Sequence, residues 1–183
     1  FFSFTQLQTP DASPRAKVSQ KVGLVEISLD YSRPSKKGRV IYGGLVPFDK
    51  IWRTGANSPT TISFSDDIKI NNELISKGEY HMYSVPSQSS FDLVIYEKTD
   101  AWGSLSGFDE SLIKARLTSE LNDLPFSVET FTISIANITN SGSSLNIIWD
   151  NKIAVFTIDV LTKNKMTQNI NTVLSENPTA NDY

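Results

Sequence analysis

Three arginines, Arg33, Arg39 and Arg53, stand among Tyr31, Tyr42 and Trp52, and Asn57 follows the last of them. A guanidinium presents a flat fork of N–H donors that fits a carboxylate or phosphate and stacks on an aromatic face. An asparagine amide both donates and accepts. Together these groups suit a small anion, or a sugar whose apolar face packs on Trp52. Residues 31–57 are also the chain's basic island, with six Lys and Arg against one acid, Asp49, in a protein of net charge −3. Four glycines and two prolines interrupt the alternating pattern found elsewhere. The ligand-binding set read from this stretch is Tyr31, Arg33, Arg39, Trp52, Arg53 and Asn57. The competing reading makes the arginines donors that satisfy loop carbonyls.

Other constellations are weaker. The single histidine, His81, alternates with Glu79 and Tyr83 on one strand face, so a Glu/His pair is geometrically open to it. One histidine cannot build a multi-histidine metal site, and no GxSxG accompanies it. The adjacent acids Asp66-Asp67 and Asp109-Glu110 are the carboxylate pairs a glycosidase would use, the second lying near Trp102 and Phe108. Acids side by side in turns are ordinarily just solvated. Asp66 and Asp67 with Asn71 and Asn72 do not match a calcium-binding loop, and Gly38, Gly43 and Gly44 fit no nucleotide-binding spacing. The chain has no cysteine, which excludes disulfides, thiolate metal sites and cysteine catalysis. No catalytic residue, metal ligand or cofactor is assigned.

The elements that must hold the basic stretch are strands. At 183 residues with 39% apolar and 20% charged residues, the chain suits one globular domain. No apolar run reaches the ~20 residues that span a bilayer. A pI near 5.2 argues against nucleic acid, whose phosphates need a basic face. Period-2 alternation predicts strands over 16–22, 24–31, 60–64, 80–86, 91–97, 128–138, 144–149 and 153–160. A hairpin is expected around Asn71-Asn72 and another at Asp150-Asn151. Residues 40–42 read as a short strand, 47–51 as one helical turn, and 112–121 as a strand. Met166, Ile170, Val173 and Leu174 repeat at helical spacing, predicting an amphipathic helix over 163–176. The expected fold is all-β: an antiparallel β-sandwich or flattened barrel of about ten strands with that helix at its C-terminal end. The divisions are 1–12, a signal-peptide remnant or disordered linker; 13–162, the β-sandwich; and 163–183, the helix and the start of a C-terminal extension cut short.

Several strings resemble one family. Tyr31-Ser32-Arg33-Pro34, Gly38-Arg39, Gly43-Gly44-Leu45-Val46-Pro47, Trp52-Arg53-Thr54-Gly55-Ala56-Asn57 and Thr60-Thr61 are similar to the bacterial domain-of-unknown-function family 2911. So are Gly78-Glu79-Tyr80 through Val85-Pro86, Trp102-Gly103 and the strand from Val128 to Ile133. The resemblance covers roughly residues 13–160. It implies an exported, β-rich protein of Gram-negative bacteria, often followed by a helical extension like tetratricopeptide hairpins. It implies no activity, and the family string has Ser where this chain has His81.

The leading expectation is a periplasmic or secreted, envelope-associated binding domain for a glycan or small anionic ligand, with no nucleic acid and no transmembrane segment. A hydrolase of cell-wall or polysaccharide material using Glu79/His81 or Asp109/Glu110 is the second. A structural domain that presents its C-terminal helix to a protein partner is the third.

Overall fold

The alternation of apolar and polar residues is realised as an all-antiparallel sheet. The computed structural model describes residues 9–98 and 107–175. Its strands are β1 (Arg15–Val22), β2 (Val25–Ser32), β3 (Thr60–Phe64), β4 (Ile68–Ile70) and β5 (Glu73–Ile75). They continue with β6 (Gly78–Pro86), β7 (Ser90–Glu97), β8 (Ile113–Ala136) and β9 (Gly142–Asp159), followed by the helix α1 (Thr162–Ser175). The strand order is β1-β2-β3-β6-β7-β8-β9-β4-β5, and the sheet does not close. The all-β fold and the C-terminal helix are as the sequence predicts. Among the described residues, no helix is long and apolar enough to cross a membrane.

Two long strands turn this sheet around its core. The first part of β8 pairs with β7, and the rest, from Leu121 on, pairs with β9. The far end of β9 then pairs with β4. Inward residues of β2, β3, β6 and β7, such as Ile27, Leu29, Ile62, Phe91 and Leu93, thus meet Phe131, Ile147, Trp149 and Phe156 in one buried cluster. Each such side chain contributes about 1.5–3 kcal/mol by leaving water.

Four local expectations need correction. Residues 112–121 and 128–138 are one strand, β8, and residues 144–149 and 153–160 are one strand, β9. Asp150-Asn151 is therefore no hairpin. Asp150 takes φ +53 within a continuous strand, opposite a register shift between Asp123 and Val128. Asp and Asn tolerate this left-handed conformation, so the pair that marks a turn also serves a bulge. The real reversal lies at 137–141, where Asn137 has φ +51 and the Thr139 N–H donates to the Gly142 carbonyl at 2.8 Å. Residues 40–42 form no ladder strand, because Val46 N–H returns to the Ile41 carbonyl and folds the segment on itself. Residues 47–51 are a turn and not helical, with Asp49 at φ +59 and its N–H on the Pro86 carbonyl. The Asn71-Asn72 hairpin forms, both residues at positive φ.

Candidate functional site

Residues 31–57 divide into a part that seals the sheet and a part that opens a cleft. The second half of β8 has β9 on one side only, which leaves its other edge short of partners. Tyr31 fills one position: its hydroxyl donates to the Ile133 carbonyl at 3.1 Å and accepts from the Ile133 N–H at 3.0 Å. Arg33 fills the next, donating from Nε to the Phe131 carbonyl and from Nη2 to Thr132 Oγ1. The Phe131 N–H donates to the Pro34 carbonyl, and the Lys36 N–H to the Glu129 carbonyl. This follows from the rule that buried main-chain groups find partners. Tyr31 and Arg33 are thus engaged on β8 and do not line the cleft.

Arg39, Trp52, Arg53 and Asn57 do come together. With Lys37, Pro34, Leu45 and Trp149 they wall an open cleft of about 390 Å³. Its floor is aromatic: Trp52 stacks on Trp149 with centroids 5.9 Å apart, and both meet the edge or face of Phe131 at 5.1 and 5.6 Å. Both indole N–H groups are already bound, Trp52 to the Gly55 carbonyl and Trp149 to the Glu129 carbonyl. Trp149 is only 1% exposed and backs the floor from below, so the apolar surface open to the cleft is that of the half-buried Trp52.

The cations are held from behind. Arg39 donates from Nε to the Lys36 carbonyl at 2.9 Å and from Nη2 to the Ser35 carbonyl at 2.5 Å. Arg53 donates from Nη1 to the Asn57 carbonyl at 3.0 Å. A guanidinium has five N–H groups, so each retains donors for a ligand. Among the described residues, Lys37, Arg39 and Arg53 form no ion pair, although eight pairs tie other cations down. Nor does any carboxylate or histidine of the described residues line the cleft.

The wall is built on an unusual turn. Thr54, Gly55 and Asn57 take φ of +51, +148 and +59. A buried β-branched residue at positive φ is a strained one. Thr54 is held there by its hydroxyl against Ser84 Oγ at 2.8 Å and by Thr60, which donates to its carbonyl at 2.6 Å. Position 55 favours glycine, since its φ of +148 strains any side chain and a Cβ would crowd the Ser32 carbonyl oxygen at 3.1 Å. Gly43 and Gly44 answer to packing and not to a ligand: added Cβ atoms would strike Phe48 at 2.6 Å and the Val40 carbonyl at 2.5 Å.

Behind the cleft, Lys36 pairs with Asp150 at 2.5 Å. Burial raises the Asp150 carboxyl, but hydrogen bonds from Lys36 and Ser127 and the Lys36 charge outweigh it, so it titrates below its ordinary value. Burial, and then the Asp150 charge, push the Tyr42 phenol well above its own.

The acid and histidine candidates lie elsewhere. Glu79 is exposed and pairs with Lys98 at 2.6 Å, while His81 is buried beside Tyr83. Asp109 caps a short 3-10 turn by accepting the Ser111 N–H. Asp66 pairs with Lys165, and Asp67 accepts the Lys77 N–H. The aromatic loop signalled by Trp102 falls outside the described residues, apart from Gly107 and Phe108; Phe108 stacks on Tyr96. Sequence reasoning missed Lys37 and Trp149 as cleft residues. Lys37 sits in the basic island and was within reach of that signal; Trp149 has none, being joined to Trp52 only by the fold.

The sequence profile of the family described as protein of unknown function (DUF2911) matches residues 13–158, which include every cleft residue named above. The chain belongs to this family. A search of curated proteins and a search of solved structures found no match. For this DUF2911 domain the WRTGAN string, 52–57, is the turn that builds one wall of the cleft.

Proposed function

We propose that this domain binds a glycan or small anionic ligand in the cleft of Arg39, Trp52, Arg53 and Asn57, and works as a binding module of the cell envelope. The observation that carries the reading is the set of three cations, without carboxylate partners among the described residues, gathered around one open cleft whose exposed ring is Trp52. Guanidinium groups already fixed by backbone carbonyls lose little freedom when a ligand docks, and that pre-organisation favours affinity. The size fits a ligand of one or two sugar units. A lining of cations and indoles suits recognition better than hydrolysis, which asks for a paired acid and base. The envelope location rests on the family resemblance. In this reading the apolar stripe of α1 is open to a protein partner.

Tryptophan fluorescence tests it directly, because two of the chain's three tryptophans wall the cleft. Titration with uronates, phosphate and dicarboxylates should give a saturable change with at least one class. Arg39→Ala/Arg53→Ala should abolish it in a protein that stays folded. An unchanged response in that variant would place the ligand elsewhere.

A further inference from the structure

The outward face of the first strands carries a second depression of about 380 Å³. Strand register aligns its side chains in two cross-strand rows. One row is Ser19, Ser28, Ser63 and Glu79, and the next is Lys17, Asp30 and Thr61. Its chemistry differs from that of the cleft, with four short hydroxyls and two carboxylates that already have cations. Glu79 pairs with Lys98 at 2.6 Å, and Asp30 with Lys17 at 3.5 Å and with Arg15. Arg15 links the two regions: its guanidinium donates to Asp30, which lines this depression, and to Ser58. Ser58 follows Asn57, a residue of the cleft wall.

We propose that this depression is a second subsite, taking a neutral, hydroxyl-rich sugar of the same saccharide whose acidic unit occupies the cleft. The inference rests on the ligand reading of the cleft. Serine and threonine hydroxyls both donate and accept, and carboxylates accept, which matches the hydroxyls of a neutral sugar. The one cation lining the depression, Lys17, already pairs with Asp30, so among the described residues a second acidic unit would find no unpaired cation there. The preferred ligand is therefore a polymer in which an acidic sugar alternates with a neutral one, and a homopolymer of acidic units fits only the cleft.

The test is calorimetric titration with free glucuronate and with the hyaluronan disaccharide, in which a uronate is joined to a neutral N-acetylhexosamine. Galacturonate and digalacturonate are the homopolymer control. The hyaluronan disaccharide should bind at least tenfold more tightly than glucuronate, while the galacturonate pair stays nearly flat. Ser28→Val/Ser63→Val should erase that gain and leave the glucuronate Kd unchanged, in a fold that tolerates valine because β-branched residues suit strands. Glucuronate binding with no gain from the added hexosamine, an equal gain in digalacturonate, or a gain that survives the double substitution would each overturn the subsite alone. If neither uronate binds, the cleft reading fails and the subsite falls with it.

Discussion

Arg33 and Arg53 look alike in the sequence and do different work. Arg33 replaces a missing strand partner along β8, whereas Arg53 leans on one exposed carbonyl at the mouth of the cleft. Arg33→Ala removes two partly buried bonds and leaves acceptors on β8 unpaired, so urea denaturation should show a loss of about 1–3 kcal/mol. Arg53→Ala should cost less than about 1 kcal/mol, since its bond is exposed. Asp150 adds a pH signature. Its folded pKa is depressed, so the stability it contributes is full above its ordinary value, near 3.8, and is lost as pH falls through the lower folded value. Asp150→Asn keeps a side chain that tolerates positive φ and should lose about 1–2 kcal/mol at pH 7. That gap should close in unfolding curves recorded well below pH 4. The residue types of the site were legible locally. The division of labour among the arginines was not, because it depends on Phe131 and Thr132, nearly a hundred residues further on.

At the scale of elements, the alternation of β2, β3, β6 and β7 was readable because each buries one face and exposes the other. The continuity of β8 and β9 was not. Asn122-Asp123 and Asp150-Asn151 are turn residues by type, and here they form a bulge between two strands that go on past it. Only the partner strand decides between turn and bulge. The turn at 54–57 is the counterpart in the site, with three positive φ values held by buried hydroxyls. Gly55→Ala meets both an unfavourable φ and the Ser32 carbonyl, and thermal denaturation should show a loss of about 1–3 kcal/mol. A variant as stable as the parent would mean that the cleft wall relaxes freely.

For the whole molecule, the sheet and its core stand apart from α1. None of the helix's residues is buried, and Met166, Ile170, Val173 and Leu174 are exposed on it. Its side-chain ties to the β4 end of the sheet include Lys165, which pairs with Asp66 and donates to the Asp67 carbonyl, both at 3.0 Å. A chain ending at Thr162 should keep its sheet and lose only about 1 kcal/mol, as expected for partly exposed pairs. Circular dichroism and urea denaturation would check both.

The central claim, that the cations over Trp52 and Trp149 await an anionic ligand, is tested most directly by thermal unfolding with and without a uronate. A ligand at about a hundred times its Kd should add roughly 2.7 kcal/mol to the folded state, a readable rise in Tm. The account predicts that rise in the native protein and its absence in a folded Arg39→Ala/Arg53→Ala. A Tm that no uronate, phosphate or dicarboxylate moves, in a protein that the same double substitution unfolds, would contradict it and make both arginines braces.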